Sequence, residues 1–175
     1  MSKVLEEGNL RFDFSTLLSA ERFDDKRNNA YGMKAVDFVV EDAERMFFIE
    51  AKDYQNPSAP AGRRKTDYEM LITAVNDKGA IFPIEMGAKI KDSLLRKFAE
   101  GGTFSKKVVY LLLINLDKLG AFERGMLTEK ICGHIPTGLN ESRFCAFTSM
   151  EFRLVNAEQL NNYGIVCTAI AGGAE

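Results

Sequence analysis

The sequence predicts a single α/β (α+β) domain in which helices pack on a mixed β-sheet, and three stretches of its 175 residues carry that prediction. Residues 35–40 and 46–52 are two strand-like runs, rich in Val, Phe and Ile, that are joined by the polar turn EDAER. Residues 86–99 carry apolar side chains at helical spacing and are followed by the pair GG. Residues 108–116, VVYLLLINL, are apolar throughout, which indicates a central strand covered on both faces.

Shorter patterns predict the remaining elements. Residues 10–14 alternate apolar and polar side chains like a brief strand, and residues 15–26 read as a short helix with Ser15 as its N-cap. Residues 55–66, QNPSAPAGRRKT, contain two prolines and a glycine and predict a loop, whereas residues 67–75 fit either a helix or a strand. The rest of the chain is predicted to form a helix at 121–132, a strand at 143–150 and a short helix at 156–164.

Composition narrows the classes of function. The net charge of −2 argues against a general polyanion binder but leaves room for a local basic groove. Three scattered cysteines, an acidic N-terminal segment and the lack of an apolar run of about 18 residues predict a cytoplasmic protein with reduced thiols and no membrane partner. His134 is the only histidine, so a histidine metal cluster is excluded and a Ser-His-Asp triad could only use that residue.

The hairpin formed by the first two strands carries three charges in otherwise apolar runs. With a turn centred between Ala43 and Glu44, Asp37 lies opposite Glu50, and alternation puts Lys52 on the same face. The opposite face is then entirely apolar and is predicted to be core; it holds Val36, Phe38, Val40, Phe47, Ile49 and Ala51. Two carboxylates and an ammonium are therefore expected to converge where the strands leave the sheet.

Directly opposed like charges destabilise a sheet, so something must offset the repulsion between Asp37 and Glu50. A hard divalent cation such as Mg²⁺ would do so, since carboxylate oxygens are its preferred ligands, and it would make a bound water nucleophilic towards phosphorus. The alternative is an ordinary exposed salt-bridged trio at a sheet edge, worth about 0–1 kcal/mol.

Asp37, twelve intervening residues and then Glu50-Ala51-Lys52 resemble the active-site pattern of the PD-(D/E)xK nuclease superfamily, which has the restriction-endonuclease-like fold. The resemblance covers residues 10–116 and leaves residues 117–175 as a C-terminal elaboration of one domain spanning 1–175. It implies a core of helix, three-strand meander, helix and strand. Two departures are Val36, where the family pattern has proline, and a long insertion at about 53–85.

The resemblance also implies roles for individual residues. Asp37 and Glu50 would ligate Mg²⁺ or Mn²⁺ with help from the Ala51 carbonyl, and Lys52 would orient or help to deprotonate the attacking water. Some members of the superfamily add a glutamate from the first helix, and Glu21 is the candidate here, with Asp24 and Asp25 close by in sequence.

Basic residues follow the ExK strand. Arg63, Arg64 and Lys65, in the predicted loop, are the candidates for contact with nucleic-acid phosphates. Six further cations either extend them into a phosphate-binding strip or form an ordinary solvated helix face: Lys89, Lys91, Arg96, Lys97, Lys106 and Lys107.

The sequence thus predicts a Mg²⁺- or Mn²⁺-dependent nuclease that hydrolyses phosphodiester bonds, with DNA as the expected substrate. A homodimer would supply one active site to each strand of a duplex. The alternatives are a catalytically inactive nucleic-acid-binding module on the same fold, and a protein-interaction domain that uses the sheet edge or the Phe-rich C-terminal part.

Overall fold

The computed structural model describes residues 3–24, 32–56, 59, 61–77, 79–101, 104–137 and 149–170, without the side chains of 61–65 and 67. They form a five-stranded mixed sheet, a three-stranded antiparallel sheet and three α-helices. In chain order the elements are β1 (Val4–Glu7), β2 (Leu10–Asp13), β3 (Ser19–Arg22), β4 (Phe38–Glu41), β5 (Arg45–Asp53), α1 (Ala61–Asn76), α2 (Ile81–Ala99), β6 (Lys107–Asn115), α3 (Ala121–Cys132), β7 (Met150–Val155), a 3₁₀ helix (Gln159–Tyr163) and β8 (Val166–Ala169). The predicted mixed α/β class is confirmed.

The large sheet has the strand order β3-β4-β5-β6-β7. Strands β3, β4 and β5 form an antiparallel meander, and β5, β6 and β7 run parallel. The predicted hairpin register is confirmed, because Val40 pairs with Phe47 and Phe38 pairs with Ile49. Strand β6 is an inner strand, as predicted; it lies between β5 and β7, and its residues from Val108 to Ile114 are buried.

The large sheet is the middle layer of the fold. On one face, β6 residues such as Tyr110 and Leu112 pack with residues of all three helices. On the other face, Leu111 and Leu113 pack with Phe12 of β2 and other residues of the small sheet, whose strand order is β1-β2-β8. Both faces of β6 are covered by packed side chains, which is why its sequence is a continuous apolar run.

The hairpin residues divide between these layers largely as alternation predicts. The predicted apolar face packs on the small sheet, with Phe47, Ile49 and Ala51 as its β5 members, while Phe48 faces the helices. Val36 was predicted on the same apolar face as these residues but belongs to the helix-side core. Regular alternation does not reach it, because β4 begins only at Phe38.

The predicted helix at 15–26 is wrong. Residues Ser19–Arg22 form β3, which pairs antiparallel with β4. Ser15 is not an N-cap; its N–H and hydroxyl both donate to the Asp13 carboxylate in a turn. Pairing with the edge of β4 overrides a local helical preference worth only tenths of a kcal/mol per residue. No helix therefore precedes the meander within residues 3–24.

The predicted loop at 55–66 is wrong from residue 61 onward, because α1 begins at Ala61 and continues through residues 67–75. Prolines that precede a helix or lie in its first turn are compatible with it, so the Pro-rich start did not exclude one. Helix α2 contains the predicted helix but begins at Ile81.

The C-terminal elements agree in part with the predictions. Helix α3 has the predicted bounds, and the short helix at 156–164 is the 3₁₀ helix. Of the strand predicted at 143–150, residues 143–148 lie outside the described residues, and β7 begins at Met150. Strands β1 and β8 were not predicted. Across the described ranges no helix combines the length and the apolar composition that crossing a bilayer requires.

Candidate active site

The backbone at Asp37 is held in place by two hydrogen bonds, one from the preceding residue and one to the Asp37 carbonyl. The Val36 N–H donates to Ser93 Oγ of α2 (3.0 Å), and the Phe23 N–H donates to the Asp37 carbonyl (2.8 Å). The residue is only 4% exposed. Its Oδ2 accepts a hydrogen bond from the Ala51 N–H of β5 at 2.6 Å. Asp37 therefore continues the β4–β5 contact beyond the last ladder pair through its side chain.

Glu50 is fully buried and is held by two ammonium groups. Its Oε1 lies 2.6 Å from Lys52 Nζ and 2.7 Å from Lys89 Nζ, and Lys89 also donates to Oε2 at 2.8 Å. Lys89 Nζ is 3.9 Å from Asp37 Oδ1, which is beyond hydrogen-bonding distance. We call the group Asp37, Glu50, Lys52 and Lys89 the Asp37–Glu50 site.

The structure thus brings together the three residues predicted from the hairpin and adds Lys89, which the sequence had suggested as part of a phosphate strip. A signal for its position was present in the sequence. Lys89 is three residues after Met86 and four before Ser93, both of which are buried on the inner face of α2. Residues at this spacing share a helix face, so Lys89 had to point towards the sheet.

Burial dominates the electrostatics of the site. It raises the pKa of Asp37 to about 8, with a further contribution from the Glu50 carboxylate, against the opposing effects of Lys89 and the Ala51 N–H. Burial alone would lower the pKa of Lys52, but attraction by Glu50 outweighs it and the pKa is raised. Lys52 is therefore an ammonium at neutral pH, which favours a role in orienting water over one in removing its proton.

Two more carboxylates lie next to Asp37. Glu7 at the end of β1 and Asp24 after β3 each place an oxygen within 4.8 Å of the others and of Asp37. Arg22 Nη1 is 2.7 Å from Glu7 and 3.5 Å from Asp24. Burial, followed by repulsion from Glu7, raises the pKa of Asp24.

The local charges do not balance. Among the described residues, the carboxylates of Asp37, Glu50, Glu7 and Asp24 meet the cations Lys52, Lys89 and Arg22. Four negative charges against three positive ones leave one negative charge in excess when all seven groups are ionised. The site therefore has room for one more positive charge, supplied by a proton or by a bound cation.

Two clefts give solvent access to the lysines. One, of about 420 Å³, is lined by Glu7, Lys52, Tyr54 and Glu85 among others. The second, of about 300 Å³, is lined by Asp24, Lys52, Lys89 and Glu85 among others. Asp37 and Glu50 line neither cleft, so a ligand entering from solvent would meet the two ammonium groups before the buried carboxylates.

Other predicted site residues lie apart from this group. Glu21 is on β3, exposed, with its Oε2 3.4 Å from Lys97 Nζ, and it is not one of the three close carboxylates. Asp24, three residues later, is the acid that reaches Asp37, and Asp25 lies outside the described residues.

The predicted nucleic-acid contacts lie on α1. Arg63, Arg64 and Lys65 belong to its first turns rather than to a loop, and their side chains are outside the described part of the structure.

Several cations of the suggested phosphate strip are held in separate contacts. Arg96 donates to the Phe23 carbonyl at 2.6 Å and stands 3.7 Å from the centre of the Phe23 ring. Lys97 contacts Glu21, Lys106 contacts Glu41, and Lys107 contacts Glu151. These contacts favour the interpretation of the strip as a solvated, ion-paired surface.

Comparisons of the chain with models of protein families, with curated proteins and with solved structures give no match. A function must therefore be inferred from the geometry of the Asp37–Glu50 site itself.

Proposed function

We propose that this protein is a metal-dependent nuclease that hydrolyses phosphodiester bonds, with DNA as the expected substrate, at the Asp37–Glu50 site. One observation carries the proposal: two buried carboxylates, Asp37 immediately before β4 and Glu50 on the adjacent strand β5, converge near Lys52 in the order and spacing of a D…ExK pattern. Two ionised carboxylates this close repel each other, and both can stay ionised only if their surroundings or a bound cation offset the repulsion.

The order of elements gives further support for a restriction-endonuclease-like core. The meander β3–β4–β5 is followed by a helix, α2, and by β6, which pairs parallel to β5. Helix α1 occupies the insertion between β5 and α2. The fold departs from the family pattern where a leading helix would stand, because residues 3–24 form strands and turns there.

The donor set fits a hard divalent cation. Asp37, Glu50, Glu7 and Asp24 offer only oxygen atoms, which suits Mg²⁺ or Mn²⁺ and not a soft metal. At neutral pH a proton on Asp37, whose pKa is about 8, offsets the excess negative charge, and a bound cation would replace that proton. Asp37 and Glu50 would hold the ion, helped by the Ala51 carbonyl, and Asp24 would take the part suggested for Glu21. The bound ion would supply positive charge to the phosphate and acidify a water molecule.

Protein groups would orient the attacking water and the metal-binding carboxylates. Lys52, whose side chain is 31% exposed, would donate a hydrogen bond to the water that attacks phosphorus, while Glu50 keeps it protonated and fixed. The Ala51 N–H would hold the Asp37 carboxylate in one orientation. Burial of both acids keeps bulk water away from their charges, which strengthens every electrostatic contact in the site.

The proposal is tested by cleavage of plasmid, single-stranded and branched DNA and of RNA, with Mg²⁺ or Mn²⁺ and with chelator. We expect wild type to cleave only with metal, and Asp37→Ala and Lys52→Ala to lose at least about 100-fold in rate. Lys97→Ala is the matched control, since its ion pair with Glu21 is outside the site. No metal-dependent cleavage of any substrate, or full activity in Asp37→Ala, would contradict the proposal.

A second candidate is a catalytically inactive nucleic-acid-binding or protein-interaction module on the same fold. The observation in its favour is that Lys52 and Lys89 already satisfy both oxygens of Glu50. This candidate predicts affinity for a nucleic acid or a protein partner without turnover, and no binding of Mn²⁺ in a calorimetric titration.

A further inference from the structure

The Lys89 ammonium lies between the two acids of the Asp37–Glu50 site. It contacts both oxygens of Glu50, at 2.7 and 2.8 Å, and is 3.9 Å from Asp37 Oδ1. The side chain is 21% exposed, and it arises from α2, an element separate from the hairpin that carries the acids. A cation shared by Asp37 and Glu50 would occupy the same space.

We propose that Lys89 is the counter-ion of the metal-free site, and that a divalent cation binds only by displacing the Lys89 ammonium from Glu50. This inference rests on the proposed function, since it assigns the metal to the same two acids. Lys89 contacts both oxygens of Glu50 and Lys52 contacts one of them, so about three of the four lone-pair positions of the carboxylate are taken and a metal bound by Glu50 competes with the Lys89 ammonium. Two cations brought that close in a buried site also repel each other strongly.

A cleft beside the site can accept the displaced Lys89 side chain. Lys89 lines the cleft of about 300 Å³ together with Lys52 and Lys34, and Glu85 and Asp24 lie at the same cleft. The long aliphatic stem of a lysine lets its ammonium move from a buried partner to solvent without movement of the helix. Released there, Lys89 would stand beside Lys52 as a phosphate-binding group, so metal binding would prepare the site for the anionic substrate.

This arrangement gives a thermodynamic coupling that works in both directions. If a bound cation weakens the Lys89–Glu50 pair, then removal of the Lys89 charge must strengthen cation binding by the same factor. The coupling distinguishes Lys89 from a residue that only supports the fold, because loss of mere structural support would weaken the site for metal as well.

The first test uses the wild-type protein and needs no mutation. Lysine acetylation is followed by mass spectrometry in chelator and in saturating Mn²⁺, as judged by calorimetry. We expect Lys89 to react slowly without metal and at least fivefold faster with it. Lys91, exposed on the same helix, is the internal control and should react equally in both. An unchanged Lys89 rate in protein that binds Mn²⁺ would overturn the inference.

The second test measures Mn²⁺ affinity by calorimetry in Lys89→Met, which keeps the stem and removes the charge, and in Lys91→Met as the matched control. We expect at least tenfold tighter binding in Lys89→Met and no change in Lys91→Met. Equal or weaker binding in a folded Lys89→Met protein would refute displacement. If Lys89→Met does not fold, the acetylation result on wild type decides.

The two tests separate this inference from the proposed function. Metal-dependent cleavage by wild type with unchanged affinity in Lys89→Met overturns only the role of Lys89. No Mn²⁺ binding by either protein overturns both. Binding in Lys89→Met but not in wild type supports displacement and identifies Lys89 as the group that keeps the site closed to metal.

Discussion

Replacement of Asp37 by asparagine isolates the energetic consequence of the buried acid pair. The pKa of Asp37 is about 8 in the folded protein, against 3.8 as its ordinary value. Between these values the folded state keeps a proton that the unfolded state releases, so stability falls as pH rises from about 4 to about 8. At pH 7 the difference is about 3 pH units, or about 4 kcal/mol at 1.36 kcal/mol per unit.

Asparagine is neutral and nearly isosteric, and its side-chain oxygen can still accept the Ala51 N–H. At pH 7 the folded wild type already carries a proton on Asp37, so asparagine removes no charge there and loses only the hydroxyl that protonated Asp37 can donate. We therefore expect metal-free Asp37→Asn to be more stable than wild type by about 2–4 kcal/mol at pH 7, a rise in Tm of roughly 4–16 °C. The advantage should shrink as pH falls and disappear below about pH 4, where the unfolded wild-type chain also keeps the proton on Asp37.

The assay is thermal unfolding in chelator at several pH values, repeated with Mn²⁺. Ligand at 100 times its Kd stabilises the folded state by about 2.7 kcal/mol, so Mn²⁺ should raise the Tm of wild type and leave Asp37→Asn unchanged. Asp42→Asn, at the turn of the same hairpin, is a control of opposite sign. Although burial opposes it, hydrogen bonds from Glu44 and Arg45 lower the pKa of Asp42. Its loss should destabilise by about 0.5–1 kcal/mol.

Two outcomes would contradict this expectation for Asp37. If Asp37→Asn melts below wild type in chelator at pH 7, the contacts of Asp37 with Ala51 and Lys89 outweigh its burial, and the pair is a structural anchor. If Mn²⁺ stabilises both proteins equally, Asp37 does not hold the ion.

Three further predictions use the same measurements. Glu50→Gln removes the partner of two ammonium groups and should destabilise the metal-free protein by about 3–5 kcal/mol in thermal melts, and an unchanged Tm would show that the pairs contribute nothing. Gly87→Ala should lower the free energy of unfolding by about 1–3 kcal/mol, because a Cβ there would lie 2.7 Å from the His134 carbonyl oxygen. Gly125→Ala is the control; a Cβ there would have no neighbour within 4 Å, so the substitution should be neutral or stabilising. Lys52→Met should abolish cleavage yet retain Mn²⁺ binding in calorimetry, and loss of both would make Lys52 a support for the acids instead of a partner of water.

The sequence predicted those parts of the fold and site that depend on local periodicity. Alternation along the two hairpin strands and a symmetric turn were sufficient to pair Phe38 with Ile49 and to bring Asp37 and Glu50 to one face. A single long apolar run identified β6, because a strand buried on both faces needs no polar positions. These features follow from the chain's own neighbours in sequence.

The features that were missed depend on partners distant in sequence. Strand β3 forms because an edge of β4 is available to it, which local helical propensity cannot reveal. Glu7 reaches Asp37 only because the small sheet packs below the large one, and no spacing in the sequence encodes that approach. Lys89 lay between these cases: its helix face could be read from the sequence, but its partner Glu50 required the packing of α2 on β5.

The depth of the two acids favours the proposed functional interpretation over a purely structural one. An exposed salt-bridged trio would have made almost no difference to stability, but Asp37 is 4% exposed and Glu50 is fully buried. A purely structural role gives a reason to keep Glu50, whose loss would leave two ammonium groups without their partner, but none to keep a second carboxylate at Asp37. A cation that binds both acids does give one, since it turns their mutual repulsion into affinity. In the metal-free protein a proton on Asp37 and the Lys89 ammonium offset that repulsion, and a bound metal would replace both.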